Sequence, residues 1–465
     1  MERIQVKERK LNKAMLMTIL ALAGPTMIEQ AMQTLVQYID TAMVGVLGTD
    51  ATAAVGATTS VNWVILATQV AMANGFVPYI SQNLGAGNVD HARRASMQAV
   101  LSTLLVGTLF TVIIVACSSR IAVWMNVDET IHDITTGYFL IMYFPMLPRT
   151  ASTVFGTVLR ASGDSRTPMR IGLQVNVINI VLNMLLIYET RTVSLFGLSM
   201  TMPGAGMGVI GAALASAIAF TYGGLAITVK LWKHPVISPK GLSWKPDMEI
   251  LYPCMKVTLP NMMQRFGTSL GHVVFSSMIN SLGAVATAAH TIANTVESAF
   301  YIPGYGMQTA AATLSGNAYG AKDGKAMKDA ANMMLLLEII LMIMSGAMLF
   351  ILAPHLMGIF SKSDEVISLG STVLRMVAVS EPFFGFSLIV QGMLLGVGNT
   401  RRAMIYNLTG MWGVRITGTY ICTQIFDLGL VAAWGCMIAH NLLVFTLFGI
   451  CFIRESWNPL SEKNN

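Results

Sequence analysis

Long apolar stretches alternate with short polar ones along the whole chain. Most of these stretches are long enough for a transmembrane helix, which needs about 20 apolar residues. The pattern predicts an all-α membrane protein with twelve transmembrane helices, here numbered span 1 to span 12. In chain order, the predicted spans cover residues 14–44, 52–80, 96–119, 133–159, 168–189, 208–229, 252–281, 287–316, 331–353, 368–396, 403–426 and 429–453.

The composition fits this prediction and excludes several classes of protein. Of 465 residues, 54% are hydrophobic and only 11% are charged, whereas soluble domains carry about 25% charged residues. A soluble enzyme, a disordered protein and a nucleic-acid-binding protein are therefore excluded. The 5 cysteines are scattered without a CxxC pair, and we interpret them as small apolar residues rather than as metal ligands or disulfide partners.

The basic residues predict the orientation in the membrane. The chain has 29 lysines and arginines, and most lie at the two termini and in the loops that follow even-numbered spans. The opposite loops carry only Arg120, Arg191 and Lys362. Because cytoplasmic loops are enriched in lysine and arginine, we predict a multi-pass protein of the plasma (cytoplasmic) membrane with both termini in the cytoplasm.

An internal repeat predicts two related halves. Moving the second half back by an offset of 235 aligns Pro260 with Pro25 and Gly320-Ala321 with Gly85-Ala86. Near span 6 the offset becomes 220, because the first half has about 15 extra residues around 190–206. Six spans per half is an even number, so the repeats are parallel, as in some transporters. We predict two pseudosymmetric six-helix lobes, residues 1–235 and 236–465, on either side of a central cavity.

Span 1 carries polar side chains along one face. Glu29, Gln33, Gln37 and Asp40 recur at i, i+4, i+8 and i+11, which places them on the same side of a helix. Ionisable groups inside a membrane are costly and are functional candidates by default. The alternative is that Asp40 lies near the extracellular end, in water.

Span 5 repeats the pattern with three asparagines. Asn176, Asn179 and Asn183 stand at i, i+3 and i+7, again on one face. They are candidates for contact with a substrate or an ion. The alternative is hydrogen bonding between helices, a common use of asparagine in membranes.

In the second half, span 8 carries His290 and Glu297 on one face. Both are candidates for contact with a substrate or a second ion, and Arg265 of span 7 is a further candidate. A buried, hydrogen-bonded His290 is the plainer alternative. The corresponding alternative for Glu297 is that Arg265 and Arg415 neutralise it and that the group is purely structural.

Two prolines lie inside predicted helices. Pro25 and Pro260 each remove a backbone hydrogen bond and permit a bend, so a moving joint and a static kink are both open. No Walker A, HExxH or GxSxG pattern occurs. We therefore expect neither an enzyme nor a cofactor, and any work must be driven by an ion gradient.

Several short segments of the sequence together resemble the multidrug and toxic compound extrusion (MATE) transporters, and the resemblance extends over nearly the whole chain. The segments that carry the resemblance are Gly24-Pro25 and Tyr38–Gly45 in span 1, Gln82–Gly87 after span 2, Arg160–Asp164 between spans 4 and 5, Asn176–Asn179 in span 5, and Ala289-His290, Glu297-Ser298 and Pro303-Gly304 in span 8.

The resemblance implies a cation site in the first lobe. Its aspartate matches Asp40, its asparagine matches Asn179, and its hydroxyl residue matches Ser216. Asn183 stands where many members of the family carry an aspartate. One carboxylate and neutral oxygens still suit Na+, whereas a poorly solvated Asp40 could carry a proton. Both ions stay open.

The expected function is the export of organic cations or amphipathic drugs, in antiport with Na+ or H+, by alternating access between the two lobes of a monomer. The expected partners are these small molecules and the lipid bilayer, with no nucleic acid. One alternative is a flippase for a lipid-linked precursor. That activity needs a positively charged cavity, and only Arg265 and Arg415 offer deep positive charge, with none expected in the first lobe. The other alternative is a non-transporting membrane receptor or channel.

Overall fold

A computed structural model describes residues 2–125, 127–195 and 198–461. The predicted fold is confirmed, with twelve helical spans in two lobes of six. The unbroken spans are Glu2–Gly45 (span 1), Thr49–Gly85 (span 2), Val89–Trp124 (span 3), Arg166–Leu186 (span 5), Gly208–Trp232 (span 6), Met248–Asn280 (span 7), Ala284–Gly320 (span 8), Gly324–Phe360 (span 9) and Leu430–Ile453 (span 12).

Spans 4 and 10 are each broken into two helices. Span 4 comprises His132–Tyr143 and Met146–Ala161, after a short 3-10 turn at Glu129–Ile131. Span 10 comprises Asp364–Ala378 and Glu381–Gly396, which meet at an angle of 50°. The breaks coincide with Pro145 and Pro382, whose rings remove a backbone donor and restrict the residue before them.

Span 11 is helical but irregular. It runs through Thr400–Leu408, Thr409–Ile416, Thr417–Tyr420 and Ile421–Ile425, of which the second and fourth are π-helical. Wider turns of this kind are rare and often lie at functional sites. Here the first of them carries Arg415.

The extra residues in the first half form a structure that the all-α prediction did not include. Strands β1 (Glu189–Leu195) and β2 (Leu198–Ala205) pair antiparallel as a hairpin between spans 5 and 6. Threonine at positions 190 and 192 favours an extended backbone because branching at Cβ suits a pleated strand.

Within the described residues, seven helices are long and apolar enough to cross a membrane by length and composition alone, and the bent pair of span 10 would make eight. Spans 7 and 8 are long but carry more polar residues, including Arg265, His290 and Glu297. Their polarity is explained by their position, since they pack against spans 1 and 2 of the other lobe.

The lobes meet most tightly at the ends of the spans that adjoin the basic loops, here called the basic end. A Cβ added at Gly85 would lie 2.0 Å from the Asn317 carbonyl oxygen, and one at Gly320 would lie 1.8 Å from that of Gln82. The offset of 235 relates Gly85 to Gly320 and Gln82 to Asn317. The two contacts are therefore the same contact made twice, as a two-fold interface requires.

Pro25 and Pro260 both lie inside continuous helices, spans 1 and 7 respectively. Neither proline ends its helix. Any bending there would be a local change within an otherwise intact helix, so their role as joints stays a prediction.

Candidate functional site in the first lobe

The structure brings together the four residues that the resemblance implies for a cation site. Asp40 of span 1 faces Asn179 and Asn183 of span 5, and Ser216 of span 6 completes the group. The Asn183 Nδ2 donates to Asp40 Oδ1 at 2.6 Å. With its amide nitrogen directed to Asp40, Asn179 donates to both carboxylate oxygens, at 2.9 and 3.1 Å, and its oxygen accepts from Ser216 Oγ at 3.0 Å.

Local sequence explains why these side chains meet. Asn179 and Asn183 are one helical turn apart on span 5, so both project from the same face. Span 6 offers small residues where it packs on span 5, and a Cβ at Gly211 would come within 2.5 Å of the Leu186 carbonyl oxygen. Small residues at such an interface let helix backbones approach closely, which brings Ser216 within reach.

The arrangement suits a small cation. Asn179 and Asn183 are 5% and 1% exposed, and in the described part of the chain Asp40 forms no ion pair. The Asn183 Oδ1 atom is buried and accepts no hydrogen bond from any described residue. Hard cations bind oxygen ligands, and one carboxylate with neutral oxygens balances a single positive charge.

Among the other polar residues of span 1, Glu29 is buried in an ion pair whereas the two glutamines are exposed. Arg160 Nη2 donates to both Glu29 oxygens, at 2.7 and 2.6 Å, and both side chains are largely buried. Glu29 is thus held in an ion pair between spans 1 and 4 in this conformation. Gln33 and Gln37, the candidates between Glu29 and Asp40, are exposed.

Asn176 is buried beside this site but does not join its hydrogen bonds. It is 8% exposed, and its Nδ2 atom has no partner among the described residues. An unpaired buried donor is uncommon, so Asn176 keeps its place as a candidate contact for an ion or a substrate.

His290 in the second lobe matches the plainer alternative. Trp434 Nε1 donates to His290 Nδ1 at 3.2 Å. The imidazole also packs edge-on against Phe275 and Trp434, with ring centroids 5.6 and 5.8 Å away. It is a hydrogen-bonded core histidine in this conformation.

Glu297 is not neutralised by a direct ion pair in the described residues. Arg415 lies near enough to interact with it electrostatically, but its guanidinium rests over the Phe275 ring, 4.3 Å from the centroid. Arg265 instead donates through Nε to Asn261 Oδ1 at 3.1 Å. The alternative that both arginines neutralise Glu297 therefore finds no support for Arg265.

The first lobe does contain deep positive charge, contrary to expectation. Arg149 lies midway along span 4, where it donates to Asn62 Oδ1 at 2.5 Å. Its guanidinium sits over the rings of Phe220 and Tyr143, 4.8 and 5.3 Å from their centroids. Aromatic faces and an amide oxygen stabilise the cation, and Arg149 forms no ion pair with an acid among the described residues.

Two buried acids of the second lobe escaped the sequence reasoning. Glu338 in span 9 is 0% exposed, and Glu381 in span 10 is 2% exposed. Each is an acid inside or beside an apolar run, which is a signal that a search for ionisable residues within every span would have found.

Comparison with known proteins gives a consistent result. The model of the MatE family matches residues 25–185 and 260–421, so the starts of the two matched segments are related by the same offset as the internal repeat. A curated relative, the probable multidrug resistance protein NorM of Thermotoga maritima, is 27% identical over 94% of this chain and 92% of its own. The probable multidrug resistance protein YoeA of Bacillus subtilis is 22% identical over 91% of each chain.

Among solved structures, an outward-facing multidrug resistance transporter of the MOP superfamily superposes with a TM-score of 0.86, at 22% identity and over 96% of both chains. At this identity the likeness shows the fold alone.

Proposed function

Because the chain belongs to the MatE family, we propose that it is a secondary transporter that exports cationic or amphipathic small molecules in exchange for Na+ or H+. Curated relatives over nearly its whole length carry the name of multidrug resistance proteins. The observation that carries the proposal is Asp40, an acid held by two amides where spans 1, 5 and 6 meet.

The geometry suggests how an ion would act on this site. In the structure, Asp40 is stabilised by hydrogen bonds from Asn179 and Asn183, both on span 5. A bound Na+ would compete with these donors for the carboxylate oxygens, and a proton would remove the charge that strengthens them. Either ion loosens span 1 from span 5. Pro25 lies several turns away in the same helix and gives span 1 a place to bend.

Coupling then follows from unequal affinity. An ion drives a conformational change only if it binds one conformation better than the other. In this structure the lobes are closed at the basic end by the contacts of Gly85 and Gly320. We propose that the ion-free Asp40 site and the ion-bound site favour opposite openings of the lobes.

The orientation and assembly belong to the same proposal. The protein would lie in the plasma membrane with the basic end and both termini in the cytoplasm, and the enrichment of lysine and arginine at that end supports this orientation. The lobes, 1–235 and 236–465, would move about the linker at 234–247, and one monomer contains both halves of the pathway.

The test is efflux from vesicles with a Na+ gradient and a pH gradient imposed separately, using a cationic dye. Asp40→Asn should abolish dye export while the protein remains in the membrane. Asp50→Asn makes the same chemical change at an exposed position in the first turn of span 2 and should transport normally. Dye export by Asp40→Asn at the wild-type rate would refute the role of this site.

The gradients identify the ion. Export with Na+ alone would make Asn183 a neutral ligand of a sodium site, and export with a pH gradient alone would make Asp40 a proton carrier. If neither gradient moves any cationic dye, a lipid-linked substrate becomes the leading hypothesis, and Arg149 is the observation that favours it. Dye flux against its gradient excludes a receptor or a channel.

A further inference from the structure

The second lobe buries two carboxyl groups, and three of their four oxygens have no donor among the described residues. Glu338 of span 9 is fully buried, and neither of its oxygens has a hydrogen-bond partner among the described residues. Glu381 of span 10 is 2% exposed, and its Oε2 is likewise unpartnered in that part of the chain. Most buried polar atoms are hydrogen-bonded, so three unpaired oxygens in one cluster require an explanation.

The packing around Glu338 leaves little space. A Cβ at Gly304 of span 8 would lie 2.6 Å from Glu338 Oε1, and one at Gly385 of span 10 would lie 3.1 Å from the same atom. The Cβ at Gly304 would also lie 2.9 Å from Met342 Cε and 3.0 Å from Leu388 Cδ1. A metal ion needs several oxygen ligands around it, which this contact does not provide, whereas a proton needs only one lone pair.

The surrounding charges do not neutralise the pair. Glu297, Tyr301 and Tyr305 of span 8 lie within electrostatic range of Glu381. The nearest cations are one step further away: Arg415 of span 11 is near Glu297 and Tyr301, and Arg265 of span 7 is near Tyr305. Neither arginine forms an ion pair with these acids within the described ranges. An unpaired buried carboxylate is costly, and such a group takes up a proton instead.

A third acid, Glu297, lies near this pair. Glu381 lies within electrostatic range of both Glu338 and Glu297. Glu297 is 8% exposed, and it stands on the turn of span 8 that meets the first lobe, where Tyr38 donates to the Thr295 carbonyl oxygen at 2.9 Å. The exposure of the three acids rises from 0% at Glu338 to 2% at Glu381 and 8% at Glu297, and only Glu297 stands beside the contact with the first lobe.

We propose that Glu338 and Glu381 form a second proton-binding site, separate from Asp40, which exchanges protons with the lobe interface through Glu297. Each step breaks one O–H bond on the donor carboxyl and forms one on the acceptor carboxylate, so no other reactant is needed. The role of this site in transport rests on the ion coupling proposed above, but its occupancy by protons does not.

Proton occupancy is tested on purified protein without transport. Infrared spectroscopy detects the C=O stretch of protonated carboxyl groups. Glu338→Gln should remove part of that absorption at neutral pH. Glu365→Gln is the matched control, because Glu365 is exposed in the same lobe, and it should leave the absorption unchanged. Equal absorption in wild type, Glu338→Gln and Glu381→Gln would overturn the proposal, and Glu381→Gln also serves if Glu338→Gln does not fold.

Exchange through Glu297 is tested by transfer to heavy water, which shifts the same absorption as deuterium replaces the proton. Glu297→Gln should slow this shift, and an unchanged rate would overturn the proposed route. Glutamine is an uncharged substitute of the same size, so a purely structural role predicts normal dye transport in Glu338→Gln. The proposal instead predicts fewer protons moved per dye molecule than in wild type. A chain that transports no dye would refute the proposed function and leave the infrared result standing.

Discussion

The contact between the lobes at Gly320 predicts a large effect from one methyl group. In Gly320→Ala, the new Cβ would lie 1.8 Å from the carbonyl oxygen of Gln82, whereas ordinary contact begins at 3.4 Å. The backbone fixes the position of the Cβ, and the carbonyl oxygen is itself a backbone atom, so no side-chain rotation relieves the clash. The ends of spans 2 and 8 must separate until that distance reaches ordinary contact, and we expect the basic end to open.

The size of the effect can be bounded. Overpacking a well-packed contact costs about 1–3 kcal/mol. If this cost falls only on the conformation closed at the basic end, the ratio of closed to open molecules falls about 5- to 150-fold. Export should slow, because a transporter held open on one side cannot complete its cycle.

Cys254 provides a native reporter. It is 3% exposed and lies in span 7 near the basic end, where a Cβ at Gly75 of span 2 would come within 2.9 Å of its carbonyl oxygen. In a chain whose other cysteines are replaced by alanine, a membrane-impermeant maleimide applied to the basic side should label Cys254 faster in Gly320→Ala. The expected increase follows the open fraction, about 5- to 150-fold where closed molecules predominate.

The symmetry of the contact supplies an independent check. Gly85→Ala would place its Cβ 2.0 Å from the Asn317 carbonyl oxygen and should act in the same way. Gly449→Ala in span 12 has nothing within 4 Å and should label as wild type does. Unchanged labelling of Cys254 in both interface variants would refute the reasoning. In chains that retain Cys451, which is 1% exposed, a parallel rise in its labelling would show unfolding instead of opening.

Three further predictions concern charge. Asn183→Asp places a second carboxylate at hydrogen-bond distance from Asp40, and two adjacent carboxylates cannot both ionise readily. Dye efflux should therefore depend more on the pH gradient than in wild type, and an unchanged ion dependence would contradict this. Glu29→Gln leaves the Arg160 charge buried without its partner and should lower the free energy of unfolding by about 3–5 kcal/mol, measured by thermal unfolding in detergent. The double variant Glu29→Gln, Arg160→Gln should recover part of this lost stability. Burial lowers the pKa of His234 in the linker, so the neutral imidazole stabilises the folded linker. This stabilisation is complete above the ordinary histidine pKa of about 6.5 and is lost as the pH falls below that value. Proteolysis of the linker should therefore accelerate below about pH 6.5 and stay constant above it.

The fold could be predicted from the sequence because a membrane leaves few choices. A backbone in lipid must satisfy its own hydrogen bonds, so apolar stretches of this length become helices. The repeat at an offset of 235 then indicated the two lobes without any structural information. The hairpin of β1 and β2 is not an apolar stretch, so this reasoning does not predict it. Its β-branched residues do favour strands. The breaks at Pro145 and Pro382 were missed because an interior proline can also be tolerated, as Pro25 is.

The sites were predictable only where partners share a helix face. Asn179 and Asn183 follow from spacing, whereas Ser216 came from the resemblance, since a single hydroxyl in an alanine-rich helix has no periodic signal. Arg160 is far from Glu29 in the sequence, on span 4 rather than span 1, and no local pattern connects them. Glu338 has only apolar residues one helical turn away on either side, at i±3 and i±4, so no local pattern marks a functional face there.

The repeat extends to the packing of the lobes but not to their charges. Gly85 and Gly320 occupy equivalent positions and make equivalent contacts, so the duplicated pattern accounts for the interface. At the same offset of 235, Asp40 corresponds to Phe275 and Glu338 to Thr103. Neither acid has an acidic counterpart in the other lobe. Asp40 is surrounded by amide donors that tolerate its charge, whereas Glu338 has none among the described residues and requires a proton. The two lobes are therefore equivalent as halves of a moving structure and different as binding sites, and neither can replace the other when its acid is removed.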